Sequence, residues 1–185
     1  MRLLDGSGLA LVRGGRLLFE GLDVHLDAGE ALHVTGPNGS GKSSLLRLAA
    51  GLLRPAAGHF YRDAKVAIAD DYLALDRELP LRKALRLWLP DSSLDAALEM
   101  MGIEGLTEVP VRLLSTGQAR KARLARVVAS DAKIWLLDEP LNGLDSDGAE
   151  RLRIVIDSHR ERGGAVLAAS HQPLGESWRQ LELAA

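Results

Sequence analysis

The stretch Ala31–Leu53, "ALHVTGPNGSGKSSLLRLAAGLL", starts as a short apolar strand, passes through a glycine-rich turn and continues as a helix. The turn fits the pattern G-x-x-x-x-G-K-[ST], and it sits in the strand-to-helix context that gives this pattern meaning. Glycines let the backbone curl until successive amide hydrogens converge on phosphate oxygens, and the following helix adds the positive end of its dipole. Gly36, Pro37, Asn38, Gly39, Ser40, Gly41, Lys42, Ser43 and Ser44 are therefore expected to cradle the phosphates of a nucleotide. Lys42 is expected to neutralise the β- and γ-phosphates, and the Ser43 hydroxyl to ligate Mg²⁺. The helix should run from near Lys42 to a stop at Gly51, with Pro55 beyond it.

A second stretch, Ile134–Asp145, "IWLLDEPLNGLD", places two adjacent carboxylates at the end of an apolar strand. Charges in that position are costly unless a cation, a hydrogen-bond partner or a reaction uses them. The spacing predicts that Asp138, at the carboxyl end of a strand neighbouring the phosphate loop, holds Mg²⁺ through water. Glu139 points the other way and is placed to polarise the water that attacks the γ-phosphate. Pro140 ends the strand, and Asn142-Gly143 supplies a turn.

Composition narrows the alternatives. The 185 residues, 46% apolar and 26% charged, suit one ordinary globular domain. There is no cysteine, so no disulfide, thiolate metal site or cysteine nucleophile is possible. A formal charge of −2 argues against a protein devoted to holding nucleic acid. The amino-terminal stretch is broken by Asp5, Arg13, Arg16 and several glycines, which does not read as a signal peptide. No run approaches the roughly 20 apolar residues of a membrane-spanning helix, so any membrane role is expected to be peripheral.

Along the chain, residues 16–36 read as two or three short strands with a turn at Asp27–Glu30, and 59–70 as two more. Residues 80–103 look helical, opening on a proline and closing at Gly102. "STGQARKARLARVVAS" from Ser115 is a helix with Leu124 and Val128 on one face and Arg123 and Arg126 on a solvated or interface face. A strand at "KIWLLDE", a helix over roughly 147–162 and a strand at "AVLAAS" follow. Strands alternating with helices, two of them fully apolar, predict an α/β fold around a largely parallel sheet.

The phosphate loop is shared by many enzyme classes, and "LLSTGQARK" separates them. Ser115 and the Gly117 amide stand at a helix amino terminus, a ready anion site, although a serine there can also simply cap the helix. With Leu114-Ser115-Thr116-Gly117-Gln118 a short helix before the carboxylate-bearing strand, the chain resembles the ATP-binding cassette (ABC) ATPases. Their signature is Leu-Ser-Gly-Gly-Gln, with Thr116 here in place of the first glycine.

The resemblance implies a P-loop ATPase fold with an antiparallel β part and a small helical subdomain. It implies a homodimer in which Ser115, Gly117 and Gln118 of one copy receive the γ-phosphate of ATP bound to the other. Asp145, in "NGLD", matches the aspartate that crosses that interface, and His171, in "AASHQ", the histidine that contacts the γ-phosphate and attacking water. His25, His33, His59 and His159 are assigned to surface or satisfied polar positions. Two elements depart from the pattern. The glutamine expected after a middle strand is missing, with Asp71 or Tyr72 nearest, and the adenine-stacking aromatic is replaced by Arg13, whose guanidinium plane can stack on a base.

Outside these motifs, residues 9–60 and 111–175 are similar to the ATP-binding subunits of the bacterial cytochrome c maturation haem exporter. This implies a single domain over residues 1–185 with a helical insert at about 76–130, integral membrane transporter subunits as partners, and a peripheral place on the cytoplasmic side of the inner membrane. The alternatives are an ABC ATPase serving another substrate and a soluble, non-transport cassette.

Overall fold

The computed structural model describes residues 1–70, 75–89 and 91–184, with the backbone alone at 91 and 92. The chain forms two compact units, Met1–Ile68 with Ala132–Glu139 and His159–Ala185, and Ala69–Asp131 with Pro140–Ser158.

The first unit carries two sheets. β1 (Arg2–Arg13), β2 (Arg16–Asp27) and β4 (Ala57–Arg62) make an antiparallel sheet in the order β2-β1-β4. The sequence reading places no strand before Arg16, because Asp5 and the glycines at 6 and 8 interrupt the apolar alternation of β1. In the fold Leu3, Leu4, Leu9 and Leu11 are buried, and a register shift between Gly6 and Leu9 absorbs the interruption.

The second sheet contains β3 (Ala31–Thr35), β5 (Val66–Ala69), β6 (Ile134–Asp138), β7 (Ala165–Ala169) and β8 (Arg179–Glu182), in the order β5-β6-β7-β3-β8. β3, β6, β7 and β8 pair in parallel. Ile134, Leu136, Leu137 and every residue of β7 are buried, the pattern of central strands covered on both faces. Each such leucine contributes about 1.5–3 kcal/mol by leaving water. α1 (Lys42–Ala49) lies against β6 and β7.

The strand order corrects one expectation. β6 does not neighbour β3, because β7 lies between them. Local patterning reveals that a strand is buried, but the crossovers decide its neighbours. Register then compensates: Val34 and Asp138 both stand opposite Ala169, so the carboxyl ends of β3, β7 and β6 finish in one row.

Behind this row, Trp135 of β6 stacks on His159, with ring centroids 3.7 Å apart and planes 8° from parallel. His159 is only 8% exposed, and its Nε2 lies 3.1 Å from the Lys133 carbonyl. Burial pushes the pKa of the imidazole down from 6.5 to about 4, the bond to the Lys133 carbonyl working in the opposite direction. The unfolded chain therefore takes up this proton where the folded chain refuses it. The contribution to stability is complete above pH 6.5, falls as the pH drops toward 4 and is flat below that, a loss of about 3 kcal/mol at most. His159→Phe retains the stacked ring and should flatten that part of the curve. Urea unfolding of both proteins between pH 7 and 4 checks this, and equal slopes would contradict it.

The second unit contains α2 (Leu81–Arg86), α3 (Asp91–Met100), α4 (Thr116–Val128) and most of α5 (Ser146–Glu161), with short 3₁₀ turns at Glu104–Leu106 and Val111–Leu113. α3 and α4 pack together, burying Leu94 and Leu98 on one and Leu124, Ala125 and Val127 on the other. Arg123 and Arg126 are both half-buried, and the Arg126 guanidinium lies over the Trp88 ring, 5.4 Å from its centroid. Its stem thereby covers apolar surface.

Candidate functional site

In the first unit, Gly36 adopts φ 137°, and a Cβ there would stand 2.5 Å from the Leu183 carbonyl oxygen and 2.9 Å from Ser40 Oγ. Only glycine fits. Gly41, at φ 104°, is the N-cap of α1 and offers no side-chain cap, so the first amides of that helix are left for another acceptor. Lys42 is 7% exposed, and its ammonium donates to the carbonyls of Gly36 at 2.8 Å and Pro37 at 3.0 Å. Ser40 Oγ is buried without a hydrogen-bond partner.

Ser43, in the first turn of α1, donates its hydroxyl proton to Asp138 Oδ1 at 3.0 Å, spanning the intervening strand. Glu139, one residue on, is a non-glycine residue at φ 47°. Its amide donates to the Ala169 carbonyl at 2.8 Å, continuing the β6–β7 ladder by one bond. Its carboxylate faces the turn after β7: Oε2 accepts from the His171 amide at 3.4 Å, and Oε1 lies 3.5 Å from His171 Nε2. A basic nitrogen, two carboxylates, a hydroxyl and an ammonium thus gather at one end of the parallel sheet, where ligands bind in open α/β folds.

The residues present fit a nucleotide triphosphate and its Mg²⁺. The buried Ser40 hydroxyl without a partner and the uncapped start of α1 are donors awaiting an acceptor. The Ser43 hydroxyl and Asp138 carboxylate supply hard oxygen ligands side by side, as Mg²⁺ requires.

In the second unit, Ser115 is the N-cap of α4 in a full capping box: Ser115 Oγ accepts from the Gln118 amide at 3.2 Å, and Gln118 Oε1 from the Ser115 amide at 2.9 Å. Ser115 thus caps the helix, and both side chains remain exposed enough to meet a ligand. They line an open cavity of about 610 Å³ with Glu104, Gly117, Lys121 and Asp145. Asp145 Oδ1 accepts from the Gly148 amide at 2.8 Å, which holds the carboxylate below the usual aspartate range, with Lys121 adding to the effect.

The structure thus brings Gly36–Ser44, Asp138, Glu139 and His171 together in one unit, and Ser115, Gly117, Gln118 and Asp145 in the other. Arg13 is exposed at the end of β1, opposite Arg16 in the hairpin. Asp71 and Tyr72 lie outside the described residues. Arg16 is a residue the sequence reading passed over: a Cβ on Gly39 would be 4.0 Å from its Nη1. Hairpin register alone brings it there, and nothing in the local sequence signals it. Of the remaining histidines, His33 is buried with Nε2 at 2.9 Å from the Ser170 carbonyl, and His25 and His59 are at least partly open to solvent, as expected.

A phosphate loop after β3, carboxylates after β6 and a histidine after β7 define an ATP-binding protein of the P-loop α/β class. Residues 19–142 match the ABC transporter family. The chain is 54% identical over 174 residues to the cytochrome c biogenesis ATP-binding export protein CcmA of Sphingopyxis alaskensis, covering 91% of this chain and 90% of that one. It is 52% identical to the protein of the same name in Novosphingobium aromaticivorans, over 92% and 90% of the two chains. Its fold superposes on an ATP-binding subunit of an ABC transporter with a TM-score of 0.87, at 23% identity over 98% of this chain and 85% of the other. The chain belongs to the ABC transporter ATP-binding family, within the group of cytochrome c biogenesis ATP-binding export proteins. It is an ABC-type ATPase. Among the described residues no helix is long and apolar enough to cross a membrane.

Proposed function

We propose that the chain works as a homodimeric ATPase docked on the integral membrane subunits of a cytochrome c biogenesis haem exporter, peripheral to the cytoplasmic face of the bacterial inner membrane. The observation that carries this reading is the Ser43–Asp138 contact at 3.0 Å beside the Glu139–His171 pair, in a chain whose relatives are named as export proteins of cytochrome c biogenesis. All of residues 1–185 form one cassette domain in this reading, with its helical insert at about 76–130.

The loop Gly36–Ser44 binds the triphosphate, Lys42 exchanging its two carbonyl partners for phosphate oxygens. Arg13 stacks on the base. Ser43 and Asp138 would hold Mg²⁺, which would supply positive charge to offset that of the triphosphate. Glu139 accepts the proton of the attacking water, and His171 orients that carboxylate and reaches the γ-phosphate. Ser115, Gly117 and Gln118 of the second copy close the site from the opposite side, and Asp145 crosses between copies. Asp71 or Tyr72 takes the place of the family's glutamine.

The test is recovery of the protein from native cells. Detergent extracts of membranes should yield the ATPase together with integral membrane subunits. Recovery only from the soluble fraction, free of such subunits, would overturn the docking and leave the non-transport cassette in its place.

A further inference from the structure

The signature helix and the turn bearing Asp145 are fastened at three points along one face of α4. A Cβ on Gly117 would lie 2.7 Å from the Gly143 carbonyl oxygen, so the backbone of the turn touches the first turn of the helix. One helical turn further, Lys121 Nζ lies 3.1 Å from Asp145 Oδ1 and 4.0 Å from Asp147 Oδ2. The stem of the same lysine fills the space beside Gly148, where a Cβ would stand 2.5 Å from Lys121 Cε. The Lys121 side chain is only 12% exposed, whereas that of Asp145 is 67% exposed. The lysine is the fixed partner of this pair, and the aspartate presents its free edge to the cavity.

This placement bears on the composite ATP site, and the inference rests on the homodimeric reading above. Ser115 and Asp145 belong to different elements, yet both must reach the second copy in register. Misplacing catalytic groups by about 1 Å can cost on the order of a hundredfold in rate. We propose that Lys121 is a positioning residue: it locks the Asp145 turn to the signature helix, so that Ser115 and Asp145 meet the partner copy as one rigid edge. Asp147 shares the lysine and keeps the start of α5 in the same assembly. At Gly117 the backbone carbonyl of Gly143 leaves no room for a side chain.

Lys121→Met keeps the packed stem and removes the charge, and Lys121→Gln is a second replacement should the first fold poorly. Both are read by steady-state ATPase kinetics, and in a Glu139→Gln background by ATP-driven dimerisation in sedimentation velocity. The expected result is a fall of about tenfold in kcat and a similar weakening of dimerisation. Binding of ATP to dilute monomer should be unchanged, because the phosphate loop is untouched. Lys121→Arg should restore most of both losses. Wild-type kcat and dimerisation in the Met and Gln variants would overturn the proposal while leaving the dimer intact. Failure of the Glu139→Gln protein itself to dimerise with ATP would overturn the dimer and this proposal together. A change confined to melting temperature would reduce Lys121 to a packing residue and also overturn it.

Discussion

Glu139→Gln should bind ATP with its affinity preserved, accumulate as an ATP-loaded dimer and lose turnover by about 10²- to 10⁴-fold, the usual contribution of a positioned general base. The reasoning starts from the backbone. Glu139 sits at φ 47°, a conformation that costs a non-glycine residue on the order of 1–2 kcal/mol, and it is kept there by the 2.8 Å bond from its amide to the Ala169 carbonyl. That twist swings the carboxylate out of line with Asp138 and toward His171, 3.5 Å away. Glutamine preserves the shape and the hydrogen-bonding reach, so binding survives. It has no basic oxygen to receive the proton of water, so chemistry does not. Stopped-time phosphate release and size-exclusion chromatography with ATP read the two halves of this result. Full turnover by the variant would remove Glu139 from its proposed role. Glu139→Gly makes the strain itself visible: it should lose turnover as well, while gaining about 1 kcal/mol in unfolding stability as the left-handed conformation becomes free.

The parts legible in the sequence were those written in local patterns. The phosphate loop declares itself because only glycine tolerates the backbone at Gly36, and the β6 strand because four apolar residues ending in two acids have few physical explanations. The capping box at Ser115 is likewise a short-range signal. What stayed hidden depends on distant chain segments meeting. The interposition of β7 between β3 and β6 is set by crossovers, so the row that joins Val34, Ala169 and Asp138 had no local trace. β1 has no periodic trace in the sequence because its glycines and Asp5 break the alternation, and pairing on both sides holds it in the sheet. The close approach of Gly143 to Gly117 gives that glycine a steric reason to be there that no reading of its amide as an anion donor contains. Lys121 meets Asp145 only because the turn after β6 folds back on α4, a contact that no local pattern carries.

Lys42→Ala should weaken ATP binding by about 2–3 kcal/mol, or roughly 30- to 150-fold in Kd, the range for hydrogen bonds to a charged group. At 7% exposure the ammonium already sits in a partly dehydrated place, satisfied by the carbonyls of Gly36 and Pro37 at 2.8 and 3.0 Å. Both bonds bend the loop over the lysine, so the side chain helps to shape the loop itself. Alanine removes the charge and the brace at once. The loss should therefore exceed the electrostatic share alone, and raising the salt concentration should recover little of the difference between wild type and variant, because a buried charge is weakly screened. Lys42→Met keeps most of the stem but loses both the charge and the two carbonyl bonds, so its affinity should fall by nearly as much as that of alanine. Calorimetric titration with ATP at two salt concentrations decides the matter. Wild-type affinity in both variants would mean that the loop binds its phosphates through backbone amides alone, and Lys42 would then be a structural clasp for Gly36 and Pro37.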